Sequence, residues 1–438
     1  MTASEEAATA STRAAADPPM RRGAFWTIWS GQALSLAGSQ ASQFALVWWL
    51  TLQTGSPAVL STATLFALLP TIVLGPAIGA LVDRWSRRAT MLAADGAVAL
   101  GSLALAGLFL AGGASTTAVL GFLLWRAIGG AFHAPAMLSA TSLMVSRQDL
   151  GRIQGVNQML QGGLGILTAP AGAALLGLVG MTGVMAVDVA TALLAMAPLL
   201  FIRVPEPERR GEPEAGKSPG LLADLGSGLR YLRGLPGHIG LIGGAAVINL
   251  FCVPAFALLP LLMLQEMKGD VAMQAWATSA FGAGAIGGGL ALSAWGGSGR
   301  RARAALGSIL GLGLATLSLG ATPAWLWPLA ILALFAVGVF SALANGCIAT
   351  IMQATIAPEY QGRVFTLMMS AAAAMTPAGL LLAAPVADLA GVRAWYAAGG
   401  VVCAAMGAAA FLVRPIVQIE ASCPAAAAPG RQGPPHAS

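Results

Sequence analysis

Long apolar stretches alternate with short polar ones along the whole chain. Each apolar stretch has about 20 residues or more, which is the length that an α-helix needs to cross the hydrocarbon core of a bilayer. The pattern therefore predicts an all-α polytopic membrane protein with twelve transmembrane helices. In chain order, spans 1 to 12 are predicted at 25–50, 58–82, 89–111, 117–145, 152–179, 182–203, 238–264, 271–295, 303–320, 325–353, 362–387 and 393–414.

One long polar segment interrupts this pattern in the middle of the chain. Residues 204–236 are rich in Pro, Glu, Arg and Gly, which indicates a flexible cytoplasmic linker with a short amphipathic piece around 221–235. The linker divides the chain into an N-terminal six-helix bundle, 23–203, and a C-terminal six-helix bundle, 237–414. The sequence thus predicts two bundles of equal helix number.

The polar ends of the chain, 1–22 and 415–438, are predicted to be disordered tails. Residues 1–20 lack the apolar core of a signal peptide. Of the 23 basic residues, twenty fall in the tails, the linker and every second loop, whereas the alternate loops carry only Lys268 and Arg393. The positive-inside rule therefore predicts that both termini and the linker are cytoplasmic. This distribution favours a membrane protein over a nucleic-acid-binding one.

The composition agrees with a chain that lies in lipid. Apolar residues make up 57% of it and charged residues 9%, whereas soluble domains have roughly one quarter charged residues. The 56 glycines suit close helix packing. The cysteines show no paired spacing, so neither a disulfide framework nor a zinc site is predicted, and no cofactor is expected. The four positions are Cys252, Cys347, Cys403 and Cys423.

A short charged hairpin joins spans 2 and 3. Its motif resembles the signature loop of the major facilitator superfamily, with Ser86 where the family has glycine. The motif residues are Gly79, Leu81, Asp83, Arg84, Arg87 and Arg88. The resemblance implies that Asp83 reaches the start of span 11, where Glu359 and Arg363 lie, and latches the two bundles at the cytoplasmic side. The alternative is a set of solvated loop charges that serve topology.

The two halves of the chain repeat each other, as they do in that superfamily. Thr168–Gly172 in span 5 corresponds to Thr376–Gly379 in span 11. Several stretches also resemble the bacterial macrolide-efflux branch of the drug exporters, namely Trp29–Leu36, Gly75–Asp95, Arg126–Pro135 and Ile356–Phe365. The resemblance implies two pseudo-symmetric six-helix bundles that export a bulky amphipathic compound. Related branches export siderophores and other natural products.

Four ionisable residues lie inside predicted spans and are candidates for proton coupling. Arg126 lies about ten residues into span 4, and a cation at that depth is costly enough to require a function or a partner. The exporters' pattern of arginine and glycine in span 4 points to proton handling, although Ile128 replaces the family's glutamine. Asp188 lies at a depth similar to that of Arg126, which favours their pairing. Asp95 and His133 complete the set, and structural tethering is the alternative for each of the four.

Polar residues scattered on apolar spans are candidates for the lining of a substrate cavity, since polar groups in lipid must face the protein interior or water. Phe256 could add an adaptable apolar wall, and interhelical hydrogen bonds explain any single polar residue equally well. The candidates are Gln32, Gln40, Gln43, Asn157, Gln161, Asn249, Phe256, Asn345 and Gln353.

Residues Gly211–Ser218 match the consensus sequence of a phosphate-binding loop, but the match is a coincidence, because the motif has meaning only between a strand and a helix.

We therefore predict a monomeric secondary transporter in the cell membrane that binds no nucleotide and no nucleic acid. It is expected to exchange protons for a small amphipathic substrate by alternating access. A nutrient importer or facilitator on the same fold, a membrane enzyme and the permease part of a pump are the alternatives.

Overall fold

The computed structural model describes residues 22–146, 149–205, 229–295 and 301–420. In this part of the chain the regular elements are helices, and no strand is present, so the predicted all-α fold is confirmed. The first five helices are α1 Arg22–Thr54, α2 Pro57–Arg84, α3 Arg87–Leu110, α4 Thr116–Met144 and α5 Leu150–Phe201.

Helix α5 contains predicted spans 5 and 6. It has 52 residues, and a straight helix of that length would measure about 78 Å, far more than a bilayer core of about 30 Å. Gly180 interrupts it with φ 63° and ψ −177°, a conformation that glycine adopts without strain. The break falls between the two predicted spans, so one continuous helical stretch supplies both of them.

The second half of the chain is also helical. Helix α6 continues as a π-helical turn, Leu262–Glu266, and a 3₁₀ turn, Ala324–Leu326, precedes α9. The remaining helices are α6 Pro236–Leu261, α7 Val271–Trp295, α8 Arg301–Ala321, α9 Trp327–Thr355, α10 Pro358–Ala390, α11 Val392–Ala410 and the short α12 Arg414–Val417.

Nine helical stretches in the described residues are long and apolar enough to cross a membrane. One of them, Arg152–Phe201, holds two spans. Helices α1 and α7 are long enough to span as well, but glutamine, serine and glycine dilute their apolar character. Together these elements account for the twelve predicted spans within the described part of the chain.

The chain divides into two compact units. The first comprises Met1–Gly55 and Thr62–Pro213, and the second comprises Ser56–Ser61 and Glu214–Ser438. Several segments discussed above lie outside the described residues. They are the tail at 1–21, most of the linker with its amphipathic piece, the match to a phosphate-binding loop and the end of the chain from 421.

The predicted C-terminal tail differs from the structure in its first residues. Residues 414–417 form α12, and Ile416 and Ile419 are buried against the second unit. Leu232, from the predicted linker, belongs to the same apolar cluster. These three side chains are apolar, so their burial offsets the entropy of ordering short segments.

Glycines allow helices α7 and α9 to approach closely in the second unit. A Cβ atom added at Gly284 would collide with the carbonyl oxygen of Phe335, and one added at Gly338 would collide with that of Phe281. Because backbone atoms cannot move aside cheaply, each glycine contributes to the spacing of the pair.

We expect Gly284→Ala to destabilise the protein by about 1–3 kcal/mol, the usual cost of overpacking. Gly289→Ala on the same helix is the matched control, because no atom lies within 4 Å of its added Cβ. The thermal stability of the detergent-solubilised protein checks this. Equal melting temperatures for the two variants would contradict the close approach.

Candidate functional site

A cavity of about 600 Å³ lies within the first unit, between α1, α3, α4 and α5. Its lining contains charged residues, amides, hydroxyls and apolar side chains, so it offers contacts to a compound with both polar and apolar parts. The polar lining residues are Gln32, Ser35, Ser39, Asp95, Arg126, His133, Thr141, Gln154, Asn157, Gln158 and Gln161.

A carboxylate and an imidazole face each other in this cavity. His133 Nε2 of α4 lies 3.4 Å from Asp95 Oδ1 of α3, and the two side chains are 22% and 11% exposed. Gln32 Nε2 of α1 donates to Asp95 Oδ2 at 2.9 Å. His133 Nε2 has no hydrogen-bond partner among the described residues, so the contact with Asp95 is a close approach that becomes an ion pair when the imidazole is protonated.

Arg126 of α4 also lines the cavity and bonds to α1. Its Nη1 donates to Ser42 Oγ at 2.9 Å, and its Nη2 donates to the carbonyl oxygen of Ser39. Arg126 and His133 are seven residues apart on α4, and this spacing puts them on one face of the helix. The structure places both at the cavity, as their spacing predicts.

Asp188 lies behind the cavity wall and is 2% exposed. Its Oδ1 accepts from Ser39 Oγ at 3.0 Å, and its Oδ2 accepts from Ser102 Oγ at 2.6 Å. No direct ion pair joins Asp188 to Arg126 within the described residues. Instead Ser39 connects them, because its hydroxyl binds Asp188 while its carbonyl binds Arg126. Ser39 therefore links the two oppositely charged side chains by hydrogen bonds, and the two charges also attract each other electrostatically.

The backbone next to Ser39 explains why this bridge can form. A Cβ atom at Gly38 would collide with Thr191 Oγ1, one turn after Asp188. Glycine thus lets α1 approach the second half of α5 closely enough for the Ser39 hydroxyl to reach the carboxylate. Sequence reasoning missed Ser39, Ser42 and Ser102, because isolated serines are common in membrane helices and give no distinct signal.

Of the polar positions predicted for the cavity, Gln32, Asn157 and Gln161 line it. Trp29 Nε1 donates to Asn157 Oδ1 at 2.8 Å and so connects α1 with α5. Gln40 and Gln43 are half-buried and do not belong to this lining.

The positions predicted in the second unit are dispersed. Asn249 and Asn345 each donate to a carbonyl one turn earlier in their own helix, at 2.9 Å in both cases. Gln353 is exposed. Phe256 lines a small apolar cavity of the second unit and lies edge-on to Phe281, with ring centroids 4.4 Å apart.

The predicted latch residues lie at the ends of α2, α3 and α10. Gly79, Asp83 and Arg84 are in the last two turns of α2, and Glu359 is in the first turn of α10. The side chains at these positions are outside the part of the molecule that the structure describes. The latch therefore remains a prediction. Arg363 places its guanidinium carbon 5.9 Å from the centre of the Tyr360 ring.

Two of the basic motif residues hold the first unit together. Arg87 donates to Ser139 Oγ of α4 at 3.2 Å. Arg88 donates to the carbonyl oxygens of Leu199, through Nε, and Leu200, through Nη2. These carbonyls lie at the C-terminal end of α5, where a cation is favoured by the helix dipole.

Comparison with known proteins supplies independent information. Residues 28–262 match the family model described as the Major Facilitator Superfamily. Macrolide efflux protein A of Streptococcus pyogenes is 32% identical over 385 residues, which cover 87% of this chain and 94% of that protein. The multidrug efflux pump Tap of Mycobacterium tuberculosis is 26% identical over 391 residues, which cover 86% and 90% of the two chains.

A solved structure has the same fold. A bacterial homologue of the human lysosomal transporter Spinster superposes with a TM-score of 0.62 and 16% sequence identity, covering 92% of this chain and 97% of that one. At this identity the likeness concerns the fold alone. It agrees with the all-helical architecture described above.

Proposed function

The chain belongs to the Major Facilitator Superfamily, and from this premise we propose that it exports bulky amphipathic compounds such as macrolides in exchange for protons. It is a multi-pass membrane transporter and not an enzyme. Transport would proceed by alternating access of a cavity to the two sides of the membrane. The charge asymmetry of the loops supports a plasma-membrane protein with both termini in the cytoplasm.

The observation that carries the proposal is the Asp95–His133 pair at the cavity. The pair places a carboxylate and an imidazole 3.4 Å apart at the cavity, and these are side-chain types that enzymes and transporters use to transfer protons. Arg126 lines the same cavity, and through Ser39 it is connected to the second carboxylate, Asp188. Proton binding and cargo binding would therefore occur in one space, where each could affect the other directly.

The size and lining of the cavity support a bulky cargo. Its volume of about 600 Å³ lies within the range of roughly 300–1,000 Å³ that is typical of sites for drug-sized molecules. Two relatives carry the names of macrolide and multidrug efflux proteins. A macrolide, which combines an apolar ring with polar substituents, matches the mixed lining.

The amides on α5 favour a second candidate cargo class. Gln154, Asn157, Gln158 and Gln161 form a row of hydrogen-bonding groups along the cavity. Such a row suits a polar natural product such as a siderophore, which the same transporter fold could export.

We expect cells that produce the protein to accumulate less radiolabelled erythromycin than cells with an empty vector, and a protonophore to abolish the difference. The reason is that export against a gradient needs the proton gradient as its energy source. A labelled siderophore serves as the comparison cargo. Reduced accumulation that persists in the presence of the protonophore, with ATP unchanged, would contradict proton coupling. Equal accumulation of erythromycin in both strains would overturn the proposed cargo class.

A further inference from the structure

Two amide side chains of the polar cavity are held in fixed orientations by their neighbours. Trp29 Nε1 donates to Asn157 Oδ1 at 2.8 Å, and Gln32 Nε2 donates to Asp95 Oδ2 at 2.9 Å. An indole N–H can only donate and a carboxylate can only accept, so each bond decides which half of the amide it engages. The Asn157 amide therefore keeps its NH₂ group for another partner, and the Gln32 amide keeps its oxygen.

The second half of each amide is open to the cavity. Asn157 and Gln32 both line the cavity. Asn157 Nδ2 and Gln32 Oε1 have no hydrogen-bond partner among the described residues, and neither atom is enclosed by the protein. A molecule in the cavity therefore meets one free donor and one free acceptor whose positions are set before it arrives.

Helix α1 keeps this donor and this acceptor close to each other. Trp29 and Gln32 are three residues apart, and side chains at that spacing are neighbours on a helix, with Cβ atoms about 5–6 Å apart. The Trp29 ring is itself packed edge-on against Trp26, with ring centroids 5.4 Å apart. Gln32 is 8% exposed, so packing restricts its rotation as well. The orientation of both amides thus depends on the packing of α1.

The other amides of the cavity are not oriented in this way. Gln154, Gln158 and Gln161 are exposed, and within the described residues they form no hydrogen bond. Each of them can turn either half toward a molecule in the cavity, and each loses rotational freedom when it binds. Asn157 and Gln32 should therefore discriminate between chemical groups more strongly than these three glutamines do.

The charges around the oriented pair favour an uncharged partner. An anionic group at Gln32 Oε1 would meet an acceptor, with the Asp95 carboxylate bonded to the other half of the same amide. Arg126 lines the same cavity, but it already donates to Ser42 and to the carbonyl oxygen of Ser39. A hydroxyl group and a carbonyl group match the free acceptor and the free donor without adding charge.

We propose that Asn157 and Gln32 determine cargo specificity, with Asn157 donating to a carbonyl oxygen and Gln32 accepting from a hydroxyl group of the same molecule. Trp29 is a positioning residue that acts through Asn157. This inference rests on the proposed export function, and it specifies the cargo as an uncharged or weakly charged compound in which hydroxyl and carbonyl groups lie close together. Hydroxylated lactones fit this description, whereas strongly anionic chelators do not.

The test compares near-isosteric substitutions in the cavity. Asn157→Leu and Gln32→Met each remove the hydrogen-bonding groups and keep the approximate size of the side chain. Gln158→Met removes an amide that lines the same cavity without being oriented, and it is the matched control. Equilibrium binding of radiolabelled erythromycin to the detergent-solubilised protein gives Kd, and thermal denaturation in the same detergent shows that each variant is folded.

For Asn157→Leu and Gln32→Met we expect Kd to rise about tenfold each, which corresponds to about 1.4 kcal/mol. Gln158→Met should raise Kd by less than about twofold, because a freely rotating, hydrated amide gains little from one more hydrogen bond. Asn157→Asp keeps the acceptor for Trp29 but replaces the NH₂ group by an oxygen, so it should also raise Kd, including when Asn157→Leu fails to fold.

A double variant tests the positioning role of Trp29. Trp29→Phe keeps an aromatic ring but removes the donor that orients Asn157. It should raise Kd in the wild-type background and have no further effect in the Asn157→Leu background, because the amide that it orients is then absent. Additive effects of the two substitutions would contradict this role and indicate a separate contact of Trp29 with the cargo.

Two results would overturn the oriented pair as the specificity site. One is an equal Kd for Asn157→Leu, Gln32→Met and Gln158→Met. The other is a lower melting temperature of the Asn157 and Gln32 variants with Kd at the wild-type value, which would give the two amides a structural role only. A wild-type protein that binds no erythromycin overturns the proposed cargo class and this site with it, so the failure of the proposed function is distinguished from the failure of the site alone.

Discussion

Arg126→Ala is expected to abolish export and to lower the stability of the first unit. The substitution removes the donors to Ser42 Oγ and to the Ser39 carbonyl. It also leaves Asp188, which is 2% exposed, as a buried charge without compensation. Removing one member of a buried charge pair costs about 3–5 kcal/mol, and we expect the lower end because Arg126 faces a cavity. Export assays and thermal denaturation in detergent check the two effects.

A double variant separates charge compensation from mere loss of contacts. Arg126→Ala combined with Asp188→Asn should be less destabilised than the sum of the single variants, since neither charge is then left alone. Arg126→Lys keeps the charge but loses the planar two-donor geometry, so we expect it to retain stability better than transport. Additive effects of the two single substitutions would show that Ser39 does not couple the charges.

Asp95→Asn is expected to reduce proton-driven export of erythromycin to the level of an empty vector. The amide keeps the shape of the side chain and can still accept from Gln32 Nε2, but it cannot carry a proton or form an ion pair with His133. The protein should therefore fold and bind cargo while it loses the coupling reaction. Binding to the purified protein and export from cells measure these two properties separately.

The matched control is Asp149→Asn, which removes a carboxylate bonded to Ser146 Oγ at 2.9 Å in the loop before α5. It should leave export unchanged. His133→Asn should weaken proton-driven export less than Asp95→Asn does, because it leaves the carboxylate in place and removes only its neighbour at 3.4 Å. Full proton-driven export by Asp95→Asn would exclude this pair from coupling.

The helical architecture could be predicted from the sequence because each apolar stretch is about as long as a helix that crosses a bilayer, and because short polar stretches separate one from the next. The break at Gly180 falls where the apolar pattern separates spans 5 and 6. The common face of Arg126 and His133 follows from helix geometry, which depends only on spacing within one helix. Such local rules carry over to the structure with little dependence on packing.

Relations between helices could not be predicted, because the relative rotation and depth of two helices depend on packing. The approach of His133 to Asp95 and the bridge through Ser39 are of this kind. A direct pairing of Arg126 with Asp188 was the simpler expectation from depth alone, and the serine bridge replaces it. For the same reason, the sequence did not predict that Asn249 and Asn345 donate hydrogen bonds within their own helices. As polar residues on apolar spans they were candidates for the cavity lining.

The most direct test of the account uses the purified protein in liposomes that contain a trapped pH-sensitive dye. Adding erythromycin outside liposomes of wild-type protein should move protons in the opposite direction to the cargo, and Asp95→Asn should show no proton movement while it still binds the cargo. Erythromycin transport by the wild type without any change of internal pH would contradict proton exchange in this cavity.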